Sequence, residues 1–130
     1  MKPLATTKLA AALGLAPLLL SSAPIDDARK AYLTGDYNAT IHHAKAATTA
    51  RQWDEEARVL HIRALLTTGQ YQQARAVTTN AIAKLPHSVQ LHWVSHDVFH
   101  FNNQPQAATN ALKEMNGLVS RMAWRYRNAP

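Results

Sequence analysis

Two histidines and an aspartate come closest, in type and spacing, to a catalytic group in this sequence. His96 and His100 stand four residues apart, and Asp97 directly follows the first of them. On a helix the two imidazoles share one face, as in the H-E-x-x-H motif, where two histidines bind zinc and an acid acts as general base. His92 lies one turn earlier, and Glu114 is a conceivable further ligand. A zinc hydrolase and a His-rich metal-binding protein are therefore two hypotheses.

Three features of the sequence argue against such a metal site. Aspartate is one methylene shorter than glutamate, which changes its reach to a zinc-bound water. The chain contains an internal repeat, and His96 and His100 take the places that Ile62 and Leu66 hold in the preceding copy, where ordinary packing is expected. Histidine is also frequent, with seven in the chain. We therefore interpret the two histidines as packing or groove-lining residues and predict no metal site.

The composition offers no other catalytic group. The chain has no cysteine, which excludes disulfides, thiolate metal sites, a cysteine nucleophile and a lipid anchor on cysteine. Neither a glycine-rich phosphate loop nor a G-x-S-x-G elbow is present. The 130 residues are 47% hydrophobic and 17% charged, with few glycines and aromatics, a balance that favours one helical domain over a sheet. We expect an all-α protein that is not an enzyme and uses no cofactor.

A 34-residue repeat organises the elements that must position these side chains. Thr34-Gly35-Asp36-Tyr37 recurs as Thr68-Gly69-Gln70-Tyr71, and the same offset reaches Asn102-Asn103-Gln104-Pro105. Gly and Asn tolerate the left-handed backbone of a tight turn, and Pro suits the first turn of a helix. The period predicts helices over 26–34, 37–51, 54–68, 71–85, 88–101 and 105–116. The predicted N-caps are Asp36, Asp54 and Ser88, and the predicted last C-cap is Gly117.

This pattern resembles the tetratricopeptide repeat, whose 34-residue unit has a helix, a Gly-Asp-Tyr-like turn, a second helix with spaced alanines and a closing proline. Residues 55–88, which include Pro86, match the pattern best. The first copy lacks most of its leading helix, and the third lacks the Gly and the Tyr. The resemblance implies three hairpins of antiparallel helices over residues 24–117, stacked as a short right-handed α-solenoid.

The resemblance also implies where a ligand would bind. In this family the leading helix of each hairpin lines a concave face that commonly holds an extended or helical peptide. Transfer of those positions to this sequence gives eight candidate peptide-binding residues: Arg29, Tyr32, Glu56, Arg63, Trp93, Asp97, His100 and Phe101. The arginines suit paired hydrogen bonds to a carboxylate, and Trp93 and Phe101 suit aromatic anchors. The expected role is a scaffold that binds a protein or peptide, with no catalysis of its own.

Residues 1–23 have the pattern of a secretory signal peptide. Lys2 and Lys8 provide a positive start, the run from Leu9 to Leu20 is apolar, and small residues follow at 21–23. The apolar run is shorter than the roughly 20 residues that span a bilayer. We therefore expect export to the periplasm or the outside of the cell, with an uncleaved membrane anchor as the alternative.

Residues 118–130 form a basic and aromatic tail or begin a further helix. Three arginines, two aromatics and no acid lie between Ser120 and Arg127, a combination that can contact an anionic membrane weakly. The formal net charge of +6 is moderate, and nucleic acid is not an expected partner of an exported protein. Because no clear polar cap ends the array, an alternative function is the accessory N-terminal segment of a larger exported hydrolase or peptidase.

Overall fold

Three tight turns, spaced one repeat apart, join the described helices of this chain into pairs. The computed structural model describes residues 22–126; residues 1–21 of the predicted signal peptide and residues 127–130 of the tail lie outside that range. The described residues form helices and no strands, which confirms the all-α prediction. The helices are α1 (Pro24–Leu33), α2 (Tyr37–Ala50), α3 (Glu55–Thr67), α4 (Tyr71–Lys84), α5 (Val89–Phe101), α6 (Pro105–Arg121) and the single turn α7 (Ala123–Tyr126).

The turns within the three pairs share one hydrogen-bonding pattern. Gly35, Gly69 and Asn103 have φ angles of 78°, 74° and 55°, in the left-handed region where Gly is unstrained and Asn is among the better-tolerated residues. Each of them donates its N–H to the carbonyl three residues earlier, and the next N–H reaches five residues back. This is a Schellman motif, which satisfies free carbonyls at a helix end. The third turn therefore keeps the geometry of the other two despite its different sequence.

The predicted N-caps are confirmed, whereas the predicted C-cap is wrong. The side chains of Asp36, Asp54 and Ser88 accept hydrogen bonds at 3.0 Å from the N–H groups of Ala39, Ala57 and Leu91. Helix α6 instead passes through Gly117 and ends at Arg121. Leu118, the next residue, is buried, and its packing favours continuation of the helix beyond the glycine. The segment that begins at residue 118 thus starts inside α6.

Consecutive helices pack on one another, and the first helices of the pairs also meet. Helix α3 contacts both α1 and α5, so these three helices form one layer. The larger apolar cluster joins α3, α4 and α5 and consists of Val59, Ile62, Leu65, Ala74, Ala81, Leu91, Val94 and Val98. A smaller cluster of Ala28, Ala44 and Leu60 joins α1, α2 and α3. Alanine on the second helix of each pair permits the close approach that these clusters need.

The loops between pairs are fixed by equivalent buried side chains. Arg58 donates from Nε and a terminal nitrogen to the carbonyl of Gln52, at 3.1 and 2.7 Å. His92, at the same place in the next repeat, donates from Nε2 to the carbonyl of Pro86 at 2.9 Å. Both side chains are 7% exposed, and each holds the loop that precedes its own helix. Since a buried polar side chain needs a hydrogen-bond partner, this column has a structural role.

Candidate binding groove

Residues of α1, α3 and α5 line a groove of about 360 Å³. Its lining consists of Tyr32, Arg63, Leu66, Thr67, Trp93, Val94, Asp97 and Phe101. The residues come together because the three helices form one layer and end at Leu33, Thr67 and Phe101, which occupy the same position in successive repeats. A volume of this size is in the range of ligand pockets in proteins.

Five of the eight predicted binding residues line this groove: Tyr32, Arg63, Trp93, Asp97 and Phe101. The other three, Arg29, Glu56 and His100, are not part of its lining. Three lining residues are not among the eight predicted ones: Leu66, Thr67 and Val94, of which Val94 is 3% exposed and also belongs to the larger apolar cluster. The signal for it was present, because Val94 is the counterpart, one repeat later, of the core residue Leu60.

Arg29 and Glu56 form an ion pair between α1 and α3. Nε and one terminal nitrogen of Arg29 donate to the two carboxylate oxygens of Glu56 at 2.8 and 2.7 Å, and the other terminal nitrogen donates to Asp26 at 2.7 Å. Hydrogen bonds from Arg29 lower the pKa of the Glu56 carboxyl group. Two carboxylates of the chain therefore pair with Arg29, so a ligand carboxylate at this arginine would have to compete with Asp26 and Glu56.

Arg63 occupies the same place in the second pair but lacks such partners. It is exposed, and no carboxylate of the described residues pairs with it. The counterpart of Glu56 in the next repeat is Gln90, whose neutral amide cannot balance a guanidinium. Asp97, the acid in the groove lining, accepts a hydrogen bond from Nδ1 of His96 at 2.9 Å. Arg63 thus offers a planar set of donors that suits an incoming carboxylate.

Two large aromatic side chains remain exposed along the groove. Trp93 is 60% and Phe101 is 51% exposed. The ring of Phe101 stacks on Tyr71, with centroids 5.2 Å apart and planes 7° from parallel, so its orientation is fixed by α4. On the α1 side, Tyr32 meets Tyr37 edge to face at 5.8 Å. Exposed aromatics held in place around a concavity are typical of surfaces that bind an apolar side chain.

A second depression of about 380 Å³ shares Phe101 with the groove. Its other lining residues lie at the second and third turns and at the start of α4: Gly69, Gln70, Tyr71, Gln72, Gln73, Asn102 and Asn103. Amide side chains dominate this lining, and amides both donate and accept hydrogen bonds. An elongated ligand that passes Phe101 would therefore meet hydrogen-bonding groups suited to a peptide backbone.

The histidines of the metal hypothesis do not converge on one point. The Nε2–H of His92 is used by the carbonyl of Pro86. The rings of His96 and His100 stack with centroids 6.2 Å apart, and His96 donates to Asp97. Within residues 22–126, no group of three or more His, Cys, Asp or Glu side chains is arranged to hold a metal ion. The H-D-x-x-H spacing thus does not assemble a three-ligand set there.

His96 and His100, interpreted from the sequence as packing or groove-lining residues, are not packed in the core, and neither is part of the groove lining. The side chain of His96 is 34% exposed and His100 is exposed, whereas Ile62, at the equivalent place, is fully buried. Ile62 is buried because α5 of the next pair belongs to the same apolar cluster. Among the described elements, no further pair follows α5 and α6. The same column is therefore a core position in the second pair and a surface position in the third.

Comparisons with known proteins leave the chain without an assigned family. No family model matches it, and no curated protein shows significant similarity to it. The likeness to the tetratricopeptide repeat accordingly rests on the repeat period and on the residues at the turns.

In residues 22–126, none of the helices has the length and apolar character required to span a membrane.

Proposed function

We propose that this chain is an exported tetratricopeptide-type module that binds a peptide or protein partner and has no catalytic activity of its own. The observation that carries the proposal is the groove on α1, α3 and α5. It combines one arginine without an acidic partner among the described residues, Arg63, with two exposed aromatics, Trp93 and Phe101. Charged and apolar groups of this kind at the centre of a concavity are typical of binding hot spots.

The repeating geometry supports a solenoid of the tetratricopeptide type. The left-handed turn residues, the helix ends and the starts of α2, α4 and α6 all recur with the same period. Helices α1, α3 and α5 contact in order, as expected for the inner layer of a right-handed stack of antiparallel hairpins. Export is supported by the signal-like pattern of residues 1–23, and N-terminal sequencing of the secreted protein would test it.

The groove chemistry favours a peptide that carries an acidic residue beside a large apolar one. The carboxylate would accept bidentate hydrogen bonds from Arg63, and the apolar side chain would pack between Trp93 and Phe101. Asp97 contributes a negative charge to the same lining, which favours a cationic or hydrogen-bond-donating group elsewhere on the peptide. The backbone would continue past Phe101 toward the amide-lined depression.

Selection of peptides from a random displayed library on the purified chain tests this proposal. We expect selected peptides to share an acidic residue next to an aromatic or aliphatic one. Trp93→Ala should weaken their binding by about 30-fold, the equivalent of roughly 2 kcal/mol for a hot-spot aromatic. Trp53→Ala is a matched control, because Trp53 is 61% exposed but lines a different depression beside Pro86.

Two outcomes would count against the groove. One is a selection that enriches no peptide over a background without the protein. The other is equal loss of binding in Trp93→Ala and Trp53→Ala, since the effect would then not belong to this surface. Titration of a selected peptide by calorimetry, with helicity of each variant measured by circular dichroism, separates a lost contact from a lost fold.

A further inference from the structure

Helix α6 of the third pair carries an apolar stripe, and two of the three residues in this stripe have buried counterparts in the earlier pairs. Leu112 and Val119 of α6 are 37% and 36% exposed, and Met115 between them is partly buried. We call these three residues the terminal face. Among the described elements, α6 contacts only α5 and the single turn α7. A helix with such a stripe gains stability by burying it against another apolar surface.

The repeat shows what normally covers this face. The counterparts of Leu112 and Met115 in the preceding repeat are Thr78 and Ala81, both fully buried, and one repeat before those stand Ala44 and Ala47, which are 0% and 3% exposed. They are buried in pairs whose second helix packs against the next pair: α2 contacts α3, and α4 contacts α5. Leu112 and Met115 therefore hold the positions that face the next pair in the two earlier interfaces, and among the described residues no further pair follows α6.

The helices that pack at the two earlier interfaces, α3 and α5, indicate what kind of surface would cover the terminal face. They present apolar residues at spacing i, i+3, i+7: Ala57, Leu60 and Ala64 on α3, and Leu91, Val94 and Val98 on α5. All six are buried, at 7% exposure or less. Leu112, Met115 and Val119 follow the same i, i+3, i+7 spacing. Helix α6 of a second copy therefore has the same apolar spacing as the helices that pack at the two earlier interfaces.

The other end of the molecule does not offer this pattern. The positions on α1 that correspond to Leu60 and Ala64 are Asp26 and Lys30, and both are exposed. A head-to-tail contact would place these charged groups on the apolar terminal face, which is unfavourable. A symmetric contact between two terminal faces buries apolar groups from both copies and closes at two subunits.

We propose that two copies of this chain pair through their α6 helices about a twofold axis near Met115. Leu112 of one copy then lies against Val119 of the other, and the two Met115 side chains meet at the axis. The groove on α1, α3 and α5 belongs to the opposite layer of each pair and stays open, so the dimer displays two grooves. This pairing does not depend on what the groove binds.

Analytical ultracentrifugation of the exported chain tests the proposal. All 130 residues have a mass of 14.4 kDa, and the exported form is lighter by its signal peptide. We expect a species with twice the mass that mass spectrometry gives for one exported chain, and this species should not grow further with concentration. The double substitution Leu112→Asp and Val119→Asp should weaken dimerisation by about 100-fold or more, because it places four carboxylates at the interface. Leu33→Asp is the control: Leu33 is 79% exposed at the end of α1, and its replacement should leave the dimer intact.

A crosslinking experiment keeps the test decisive should the double variant fail to fold. Because the chain has no cysteine, Met115→Cys introduces a single thiol beside the predicted axis. A short bismaleimide should join two copies of Met115→Cys efficiently and two copies of Leu33→Cys poorly. A monomeric native chain, a concentration-dependent series of larger oligomers, a dimer that survives the α6 substitutions, or equal crosslinking of both cysteine variants would each overturn the proposal.

Discussion

At the residue scale, Arg29 and Arg63 differ because only Arg29 lies beside a carboxylate that pairs with it. Arg29 and Arg63 hold the same position in successive repeats, and the period alone makes them equivalent. Glu56 accepts two hydrogen bonds from Arg29, whereas Gln90 stands in the corresponding place for Arg63. The pairing was not recognised from sequence because Arg29 and Glu56 are 27 residues apart and meet only through the α1–α3 contact.

The substitution Gln90→Glu should convert Arg63 from a free donor to a paired one. We expect it to weaken binding of an acidic peptide selected on the groove by about 3- to 10-fold, because the new carboxylate competes for the guanidinium. Calorimetric titration measures this change. Gln106→Glu adds the same charge at an exposed site on α6 and should leave the affinity unchanged; an equal loss in both variants would contradict the role of Arg63.

Replacement of two glycines by alanine should change the free energy of unfolding in opposite directions, because only Gly69 has a left-handed backbone. Gly69 has φ of 74°, so Gly69→Ala should lower the free energy of unfolding by about 1 kcal/mol through backbone strain. Gly117 lies inside α6, where an added Cβ meets only the flexible guanidinium of Arg121, at 3.5 Å. Gly117→Ala should therefore raise the free energy of unfolding by about 0.5–1 kcal/mol. Urea denaturation of both variants checks the two signs.

At the element scale, local sequence determines where helices begin and tertiary contacts determine which faces are buried. The starts of α2, α4 and α6 could be predicted to the residue, since Asp36 caps α2 and Pro105 opens α6. The end of α6 could not, because Gly117 is a local stop signal overridden by burial of Leu118. The exposure of His96 could not be predicted either, since it depends on the lack of a following pair among the described elements.

Helix α3 carries a histidine that should make stability depend on pH. Burial lowers the pKa of His61, and the positive charges of Lys45 and Arg58 lower it further. The unfolded chain, with a histidine pKa near 6.5, therefore binds this proton more readily than the folded protein. The free energy of unfolding should thus fall as pH drops below about 6.5, and the contribution of His61 is fully present above it.

Replacement of this side chain isolates its share of the pH dependence. His61→Gln should flatten the fall in unfolding free energy between about pH 7.5 and pH 5.5, because no proton is then taken up at this position on unfolding. Thermal and urea denaturation across this range measure the slope. His87→Gln, an exposed loop histidine, is the matched control and should leave the slope in place. A slope that survives in His61→Gln would assign it to other groups.

At the scale of the whole molecule, one period organises the helices, the groove and the terminal face. The period was visible in the sequence because Gly35 and Gly69 are local signals, and it placed five of the predicted residues in one groove lining. The period could not predict burial, because equivalent positions are core in the second pair and surface in the third, as Ile62 and His96 show. The terminal face came from comparing the pairs in three dimensions, since Ala81 is fully buried whereas Met115, its counterpart one repeat later, is only partly buried.

The core of the second pair should stabilise the whole array. Ile62 is fully buried in the cluster that joins α3, α4 and α5, so Ile62→Ala should lower the free energy of unfolding by about 2–5 kcal/mol. Loss of helicity should occur in one transition, because this cluster links the second and third pairs. Urea denaturation followed by circular dichroism tests both expectations, and a change below about 1 kcal/mol would contradict this packing.

The most direct test of the proposed function is a charge-swap cycle between Arg63 and the acidic residue of a selected peptide. Calorimetry would compare the native chain and Arg63→Glu, each with the peptide and with a version that has lysine in place of the acid. Each single change should weaken binding by about tenfold or more, and the two together should recover most of the lost affinity. Arg75→Glu, on the exposed side of α4, should show no such recovery. Simple addition of the two losses for Arg63 would contradict the account, because the arginine would then not receive the carboxylate.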